Sequence, residues 1–484
     1  MNEPATGGIL LAAINAKWIH PSLALRLLKA NLGPLENCCA IIEFALRQPL
    51  REKIDPILAA RPRILGLSVS IWNHTATLEL LRELHRIWKT EQCPVVVLGG
   101  PEVSYLPPEA EIFRYADYCV AGEGEIAFRE LCEAVFNNEG NDSSKTIFVN
   151  REFQQVDVTA IKSAYYLYSD EDLRKKLIYV EASRGCPFGC EFCLSARAAH
   201  GTAIYSESSS QVREFPLKPF CAEMDDLIQR GAHTFKFLDR TFNLNIERAR
   251  QIMEFFLGKI RERAEPFVVH FEMVPSRFPP ELMETIARFP PGTLRLEIGI
   301  QTLNPGVSVR IGRPSEPERE LAAIALVRRK TSAIIHADLI AGLPGEDMAS
   351  FGRGFDLLWA ALSPSSVDGA AKCHSLAEIQ LGILKLLPGT AIARHSAAFG
   401  MCYNLSPPYE IMETAAMPAA GLDRLKNFAR FWELIVNRGL INIDDYPVFD
   451  RFMALSDSLF ARFGRNWGID KEALQEAVHA LYKS

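Results

Sequence analysis

The sequence predicts an α/β chain in three parts: a doubly wound parallel sheet, a partial (β/α)6 barrel of the TIM type, and a small helical C-terminal domain. Three observations carry this. Apolar strand-like runs alternate with amphipathic helical patterns from residue 8 to about 140, and a second such series begins at Ile178. Between the two lies the run Asn-Asn-Glu-Gly-Asn-Asp-Ser-Ser at 137–144, a linker by composition. From about Ser406 only helical periodicity remains. The 484 residues predict two or three domains, and the 48% hydrophobic and 23% charged content is that of a globular protein. The expected boundaries are 1–140, 141–175, 176–400 and 401–484, the second being a linker.

In the first series strands are expected at 8–14, 39–44, 63–68, 94–98 and 117–120, and helices at 22–32, 50–60, 75–88 and 125–136. Doubly wound sheets bind ligands beyond the carboxyl ends of their strands. The loops at those ends read Asn15-Ala16-Lys17, Ser68-Val69-Ser70, Gly99-Gly100-Pro101 and Gly122-Glu123-Gly124. Small residues there let a ligand approach the backbone, or simply suit tight turns. The second series has strands at 178–182, 234–238, 267–271, 294–299, 334–339 and 378–384, and helices at 221–230, 247–262, 280–288, 317–329 and 348–361. Six βα units fall two short of a closed barrel, and chemistry in such barrels gathers at the C-terminal strand ends. The tail carries helical patterns at 422–437, 448–462 and 471–482.

The formal net charge of -6 argues against a nucleic-acid-binding surface. The short basic runs at 174–176 and 328–330 read as solvated helix faces. The N-terminus carries Glu3 and no basic n-region, and no apolar run approaches a membrane span, so a soluble, cytoplasmic protein is expected. Eleven cysteines, an odd count, do not suggest a disulfide framework. Cys38, Cys39, Cys93, Cys119, Cys132, Cys221, Cys373 and Cys402 are scattered and read as small hydrophobes. The other three stand together in Arg184-Gly185-Cys186-Pro187-Phe188-Gly189-Cys190-Glu191-Phe192-Cys193, just after the first strand of the second series. Chance would place roughly 0.006 such triplets in a chain of this length and cysteine content. A structural zinc site wants four ligands, often in two separated pairs, and no second pair exists here. Three thiolates on one loop suit three irons of a [4Fe–4S] cluster, leaving its fourth iron open.

This C-x3-C-x2-C motif, with Phe192 just before the third cysteine and a six-unit βα series around it, resembles the radical S-adenosylmethionine (SAM) superfamily. The resemblance implies a cluster on Cys186, Cys190 and Cys193 whose open iron binds SAM and whose electron cleaves it to a 5′-deoxyadenosyl radical. It also implies SAM contacts: Phe192 at the adenine, Asp239 and Arg240 after the second strand, Glu297 and Gln301 at the fourth, and Asp338 at the fifth, which ends in Gly342-Leu343-Pro344-Gly345-Glu346. A carboxylate or amide at the end of a parallel strand can accept hydroxyl donors; it can equally be a cap or turn residue.

A flavodoxin-like domain ahead of such a barrel resembles the cobalamin (B12)-binding subfamily. Ser68-Val69-Ser70 followed after 28 residues by Gly99-Gly100 fits the spacing of that subfamily's Ser-x-Leu and Gly-Gly elements, with Ser70 replacing the leucine. The earlier Asp-x-His-x-x-Gly element is missing: the chain reads Pro21-Ser22-Leu23-Ala24-Leu25-Arg26, and His20 reads as an ordinary residue at a helix start. The resemblance thus implies cobalamin held by Ser68, Val69, Ser70, Gly99, Gly100, Pro101, Gly122, Glu123 and Gly124, with no protein ligand to cobalt. The segments at 15–24 and 99–105 and Pro407-Pro408-Tyr409-Glu410 resemble a bacterial B12-binding radical SAM group with a C-terminal domain of unknown function.

The activity so implied is cobalamin-dependent radical SAM chemistry, foremost methylation of an unactivated carbon, with a reductant such as flavodoxin or ferredoxin as partner and no nucleic acid. The alternative is an oxidative or ring-forming enzyme (tetrapyrrole cyclase-like) that uses cobalamin without methyl transfer. A methylthiotransferase needs further N-terminal cluster ligands, which the adjacent Cys38 and Cys39 do not supply, and a non-catalytic sensor would need an output module. The substrate is not legible. His270, Glu272, Arg240, Tyr403, Tyr409 and Glu410 are polar groups expected near the barrel mouth, and each also reads as a surface or packing residue.

Overall fold

In the computed structural model the described residues are 7–88, 93–138, 146–197, 212–263, 265–313, 315–363, 377–441, 443 and 446–482. Cys373 and most of the expected linker at 137–144 lie outside them. The chain divides into two compact units: Met1–Pro187 with Leu194–Leu238 and Leu387–Gly389, and Phe188–Cys193 with Asp239–Leu386 and Thr390–Ser484.

The first unit opens with β1 (Ile9–Asn15), α1 (Leu23–Ala30), β2 (Cys39–Ala45), α2 (Leu50–Ala60), β3 (Ile64–Ser68), α3 (His74–Trp88), β4 (Val95–Gly99), β5 (Tyr118–Val120), α4 (Glu125–Phe136) and β6 (Ile147–Val149). The six strands pair in parallel in the order β2-β1-β3-β4-β5-β6. Their near-continuous apolar runs are what a sheet covered on both faces requires. Along β1, Leu10, Ala12 and Ile14 enter one apolar cluster while Ile9, Leu11 and Ala13 enter the other. Helix α1 starts where Ser22 Oγ accepts the Leu25 N–H. Its Arg26 is buried yet bonded to Glu43 at 3.0 Å and Asp172 at 3.1 Å, so the buried charge is paired. One expectation changes. Ile147–Val149 falls in the stretch read as linker but forms the edge strand of this sheet; three residues are too few to show alternation beside a polar run.

The same unit continues with α5 (Asp170–Lys175), β7 (Ile178–Val180), β8 (Ser183–Arg184), α6 (Leu194–Arg197), β9 (Arg213–Glu214), α7 (Leu217–Gln229) and β10 (Thr234–Phe237). The second unit holds α8 (Ile246–Glu262), β11 (Val268–Met273), α9 (Pro280–Ala287), β12 (Leu294–Gln301), α10 (Pro305–Arg310), α11 (Pro317–Lys330), β13 (Ile334–Ala341), α12 (Met348–Leu362) and β14 (Ala377–Ile383). All six expected strands are present, in one sheet of order β14-β13-β12-β11-β10-β7, an open partial barrel. The two-residue strands β8 and β9 pair antiparallel and escaped the pattern for want of length.

The tail has a short antiparallel pair, β15 (Cys402–Tyr403) and β16 (Ile411–Glu413), then α13 (Ala419–Trp432) running on through Glu433–Asn437, α14 (Phe449–Phe463) and α15 (Lys471–Tyr482). Its rings pack against the barrel helix α12. Phe355 meets Phe428 at 5.1 Å and Trp432 at 4.7 Å between ring centroids, and Trp359 meets Trp432 at 5.1 Å.

Candidate functional site

In the first unit, sheet order reverses between β1 and β3, which sets a crevice at the carboxyl ends of the strands. The loops there are laced together. The Val69 N–H donates to Gly99 O at 2.7 Å and the Glu102 N–H to Val69 O at 3.2 Å. Gly100 has φ +107°, and a Cβ on it would lie 2.5 Å from Val69 O, so no other residue fits. Ser104 Oγ donates to Gly100 O at 2.8 Å and accepts the Gly122 N–H at 3.1 Å, which joins the third loop to the second. Gly124 caps α4 and leaves room for Leu28, whose Cδ2 a Cβ would meet at 3.1 Å. Thus Ser68, Val69, Ser70, Gly99, Gly100, Pro101, Gly122, Glu123 and Gly124 all stand at one end of one sheet.

Two residues here were missed by sequence reasoning. Buried Asn73 accepts the Ser70 N–H at 2.8 Å and donates to Ile14 O at 2.9 Å and Ser68 O at 3.1 Å, which pins the β3 loop to β1. Trp72, beside it, is 53% exposed, and Trp18 on the β1 loop is 50% exposed. Large rings left open at a ligand crevice are the signal that Ser70-Ile71-Trp72-Asn73 offered. His20 is engaged elsewhere, its Nδ1 2.9 Å from the Tyr179 hydroxyl. Burial, then Lys17 and Lys236, hold its pKa below the usual imidazole value.

Cys186 follows Gly185, whose φ is +103°. None of the three cysteines of the motif is in a disulfide; Cys190 is buried and the other two are half-buried. Cys186 belongs to the first unit, Cys190 and Cys193 to the second. Within the second unit the loop is latched at Glu191. Its N–H donates to Ile311 O at 2.9 Å, its carbonyl accepts the Ile392 N–H at 3.0 Å, and its carboxylate pairs with Arg394 and, at 2.9 Å, His395. Gly312 is obligatory, since a Cβ would sit 2.5 Å from Gly189 O. Arg313 Nη1 donates to Cys190 Sγ at 3.5 Å while Nη2 donates to Gly299 O. The thiolate is the form of cysteine that binds metal. Phe192 is half-buried on this loop. Among the described residues no three His, Cys, Asp or Glu side chains converge on one metal position. The donor set itself, three soft thiols on one loop, suits three corners of an iron–sulfur cube.

The other SAM candidates lie on or beside the second unit's strands, whose residues alternate in burial. One face is apolar: Phe271, Leu296, Ile298, Ile335 and Leu339. The opposite face is polar, unlike the branched apolar filling usual in a closed barrel. Register aligns Glu272, Glu297, His336 and Glu378 in one row across four strands, with His270 and Arg295 in the row before and Asp338 and Gln380 in the row after. His270 Nε2 stands 3.1 Å from Glu297, and His336 Nδ1 stands 3.0 Å from Glu378. Burial pushes Glu378 up, but the His336 hydrogen bond, with His336, Arg295 and His270 charge, holds it below the usual carboxylate range. The expectation that Glu297 and Asp338 sit at strand ends is corrected. β12 and β13 run two residues further than the pattern suggested, so both are inside their strands and Gln301, at φ +70°, is the end residue. Asp239 is buried just beyond β10; Arg240 is exposed, 3.9 Å from Glu272. Tyr403 is a packing residue, its hydroxyl on Met401 Sδ at 3.6 Å, and burial pushes it up to about 12. Glu410 pairs with Lys426 at 3.7 Å, and Tyr409 turns at φ +56°.

A cradle of glycines at the first sheet and a thiol triplet at the head of the second define a cobalamin-binding radical SAM protein, and the chain belongs to that class. Residues 9–132 match the B12 binding domain family and residues 180–358 the radical SAM superfamily. The cofactors of those two domains are cobalamin, SAM and a [4Fe–4S] cluster. The chain is 27% identical over 270 residues to an uncharacterized methyltransferase of Pyrococcus horikoshii, covering 52% of this chain and 54% of that one. It is 28% identical over 195 residues to the cobalamin-dependent radical SAM methyltransferase TokK of Streptomyces tokunonensis, covering 35% and 28%. It thus spans about half the length of the first and under a third of the second. Its fold matches the radical SAM methyltransferase TsrM of Kitasatospora setae, solved with cobalamin and a [4Fe–4S] cluster, at TM-score 0.61 and 16% identity over 99% of both chains. Among the described residues no helix is long and apolar enough to cross a membrane.

Proposed function

We propose that this chain is a cobalamin-dependent radical SAM methyltransferase acting on an unactivated carbon. One observation carries the reading: a single chain has glycine-rich loops at the carboxyl end of a doubly wound sheet and a C-x3-C-x2-C loop, with no disulfide, ahead of a polar-faced partial barrel. Bound together, the three cofactors supply reductive cleavage of SAM and a transferable methyl group. The residues have separable tasks. Cys186, Cys190 and Cys193 hold the cluster, and Arg313 donates to Cys190 Sγ. The loops at 68–70, 99–101 and 122–124 would hold cobalamin through backbone and small side chains, and His20 is bonded to Tyr179 instead. Phe192, Asp239, Arg240, Glu297, Gln301 and Asp338 bind SAM, and the row containing Glu272, His336 and Glu378 orients substrate. A one-electron donor of the flavodoxin or ferredoxin kind completes the system.

The names of the two curated relatives above support methyl transfer over a ring-forming oxidation. A methylthiotransferase is disfavoured because it needs further N-terminal cluster ligands, which the adjacent Cys38 and Cys39, at the start of β2, do not supply. The test is anaerobic reconstitution with iron, sulfide and cobalamin, followed by SAM and reductant in the presence of small-molecule extract. Equal production of 5′-deoxyadenosine and S-adenosylhomocysteine supports the reading. Deoxyadenosine alone overturns it in favour of the oxidative path, and a protein that takes up no cobalamin overturns both.

A further inference from the structure

We propose that Arg184 is a positioning residue that links cobalamin binding to the iron–sulfur cluster, by tying the Gly122-Glu123-Gly124 loop to the backbone that carries Cys186. The inference rests on that loop being part of the cobalamin site.

Arg184 ends β8, with Gly185 and then Cys186 directly after it. Its guanidinium is a hub. Nε donates to both carboxylate oxygens of Glu181 at 3.1 Å, and Nη2 donates to Glu181 at 2.6 Å and to Glu125 at 2.7 Å. Nη1 lies 3.7 Å from Glu123 Oε2. The Arg184 side chain is only 11% exposed, and those of Glu181 and Glu125 are as hidden or more so. Glu123 is shared: Arg213 Nη1 donates to its Oε2 at 3.0 Å, and the Val156 N–H donates to the same oxygen at 2.8 Å. Three carboxylates and two guanidiniums therefore form one network within the first unit. Glu123 comes from the loop read as cobalamin-binding, and Arg184 stands two residues from the first cluster ligand.

The uneven distances give the network something to do. Every bond from Arg184 to Glu181 and Glu125 has hydrogen-bond length, whereas the contact to Glu123 is a long ion pair. A charge-assisted N–H···O bond is about 2.8 Å, so a movement of Glu123 by about 1 Å either completes that bond or breaks the contact. A ligand seated on the backbone of the 122–124 loop would fix where Glu123 stands. The strand-end arginine feels the change, and with it Gly185 and Cys186, whose orientation toward the cluster sets hydrogen bonding and exposure at the sulfur, both determinants of potential. Linkage is reciprocal: if cobalamin alters the cluster's potential, cluster reduction alters cobalamin affinity by the matching factor.

The experiment uses the anaerobic, cluster-loaded full chain. Cobalamin is titrated by its visible spectrum with the cluster oxidised and with it reduced, and the cluster's midpoint potential is measured by EPR with and without cobalamin. In the wild type the dissociation constant is expected to differ roughly fivefold or more between the two oxidation states, with the corresponding shift in potential. In Glu123→Gln and in Arg184→Lys, which keeps the charge but loses the fork, the ratio is expected to fall to about 1 while iron content and the cobalamin spectrum persist. Glu171→Gln, which breaks only an exposed pair with Lys175, should leave the ratio as in the wild type. A wild-type ratio of 1 with cobalamin bound overturns the linkage alone, whether or not a variant keeps its cluster. So does a full ratio in both network variants. No cobalamin uptake by the wild type overturns the loop's assignment as well.

Discussion

At the scale of single residues, the strongest constraints are steric and electrostatic at positions with no slack. Gly100→Ala drives a methyl to 2.5 Å from Val69 O at a positive φ, so a loss of about 2–4 kcal/mol is expected, read as a lowered denaturation midpoint together with weaker cobalamin uptake. Glu346 is 2% exposed in the loop after β13; Thr302 donates to its Oε1 at 2.6 Å, and its Oε2 has no hydrogen-bond partner among the described residues. Burial pushes it from 4.5 up to about 7. The folded state therefore holds a proton that the unfolded state has released between those values, and stability falls as pH rises through that window. Glu346→Gln should flatten the dependence and stabilise the protein above pH 7 by about 2–3 kcal/mol, measured by denaturant titration at pH 5 and pH 8.

At the scale of elements, what matters is how a loop is held by its neighbours. Asn73 joins β3 to β1 through three bonds, so Asn73→Ala should cost about 2–3 kcal/mol and reduce cobalamin affinity while leaving cluster content intact. The converse holds for the cysteine loop. Arg313→Met removes the donor to Cys190 Sγ and should lower the cluster's midpoint potential, with cobalamin uptake unchanged. An unchanged potential would show that the Arg313 contact does not persist on the loaded loop. Elements were legible where they were long. Local patterning, helical period and apolar run alike, found α3, α4 and α12 within a residue or so of their ends, and β1 to β5 likewise. It failed at β6, β8, β9, β15 and β16, each of two or three residues, where pairing partners and not local periodicity make the strand.

At the scale of the whole molecule, the tail is tied to the barrel through rings. Trp432 meets Phe355, Trp359, Phe428 and Phe452, so Trp432→Ala should cost about 3–5 kcal/mol and broaden or lower the unfolding of the barrel part. If that transition is unmoved while the tail alone melts, the shared core is not a cooperative one. Composition could not reveal this, since an amphipathic helix looks the same whether its apolar stripe meets its own domain or a neighbouring helix.

Chemistry concentrated in a short stretch of chain was readable directly. Cys186, Cys190 and Cys193, the glycine loops at 99–100 and 122–124, and the alternation of strands and helices are local properties, and local spacing is enough to recognise them. Groups that meet across strands were not readable: Glu272, Glu297, His336 and Glu378 come from four separate strands, and only register puts them in a row. The same is true of Arg184 with Glu123, 61 positions apart by subtraction of their numbers. Nothing in either local sequence announces the other, because the energy that pairs them arises only when folding withdraws both charges from water.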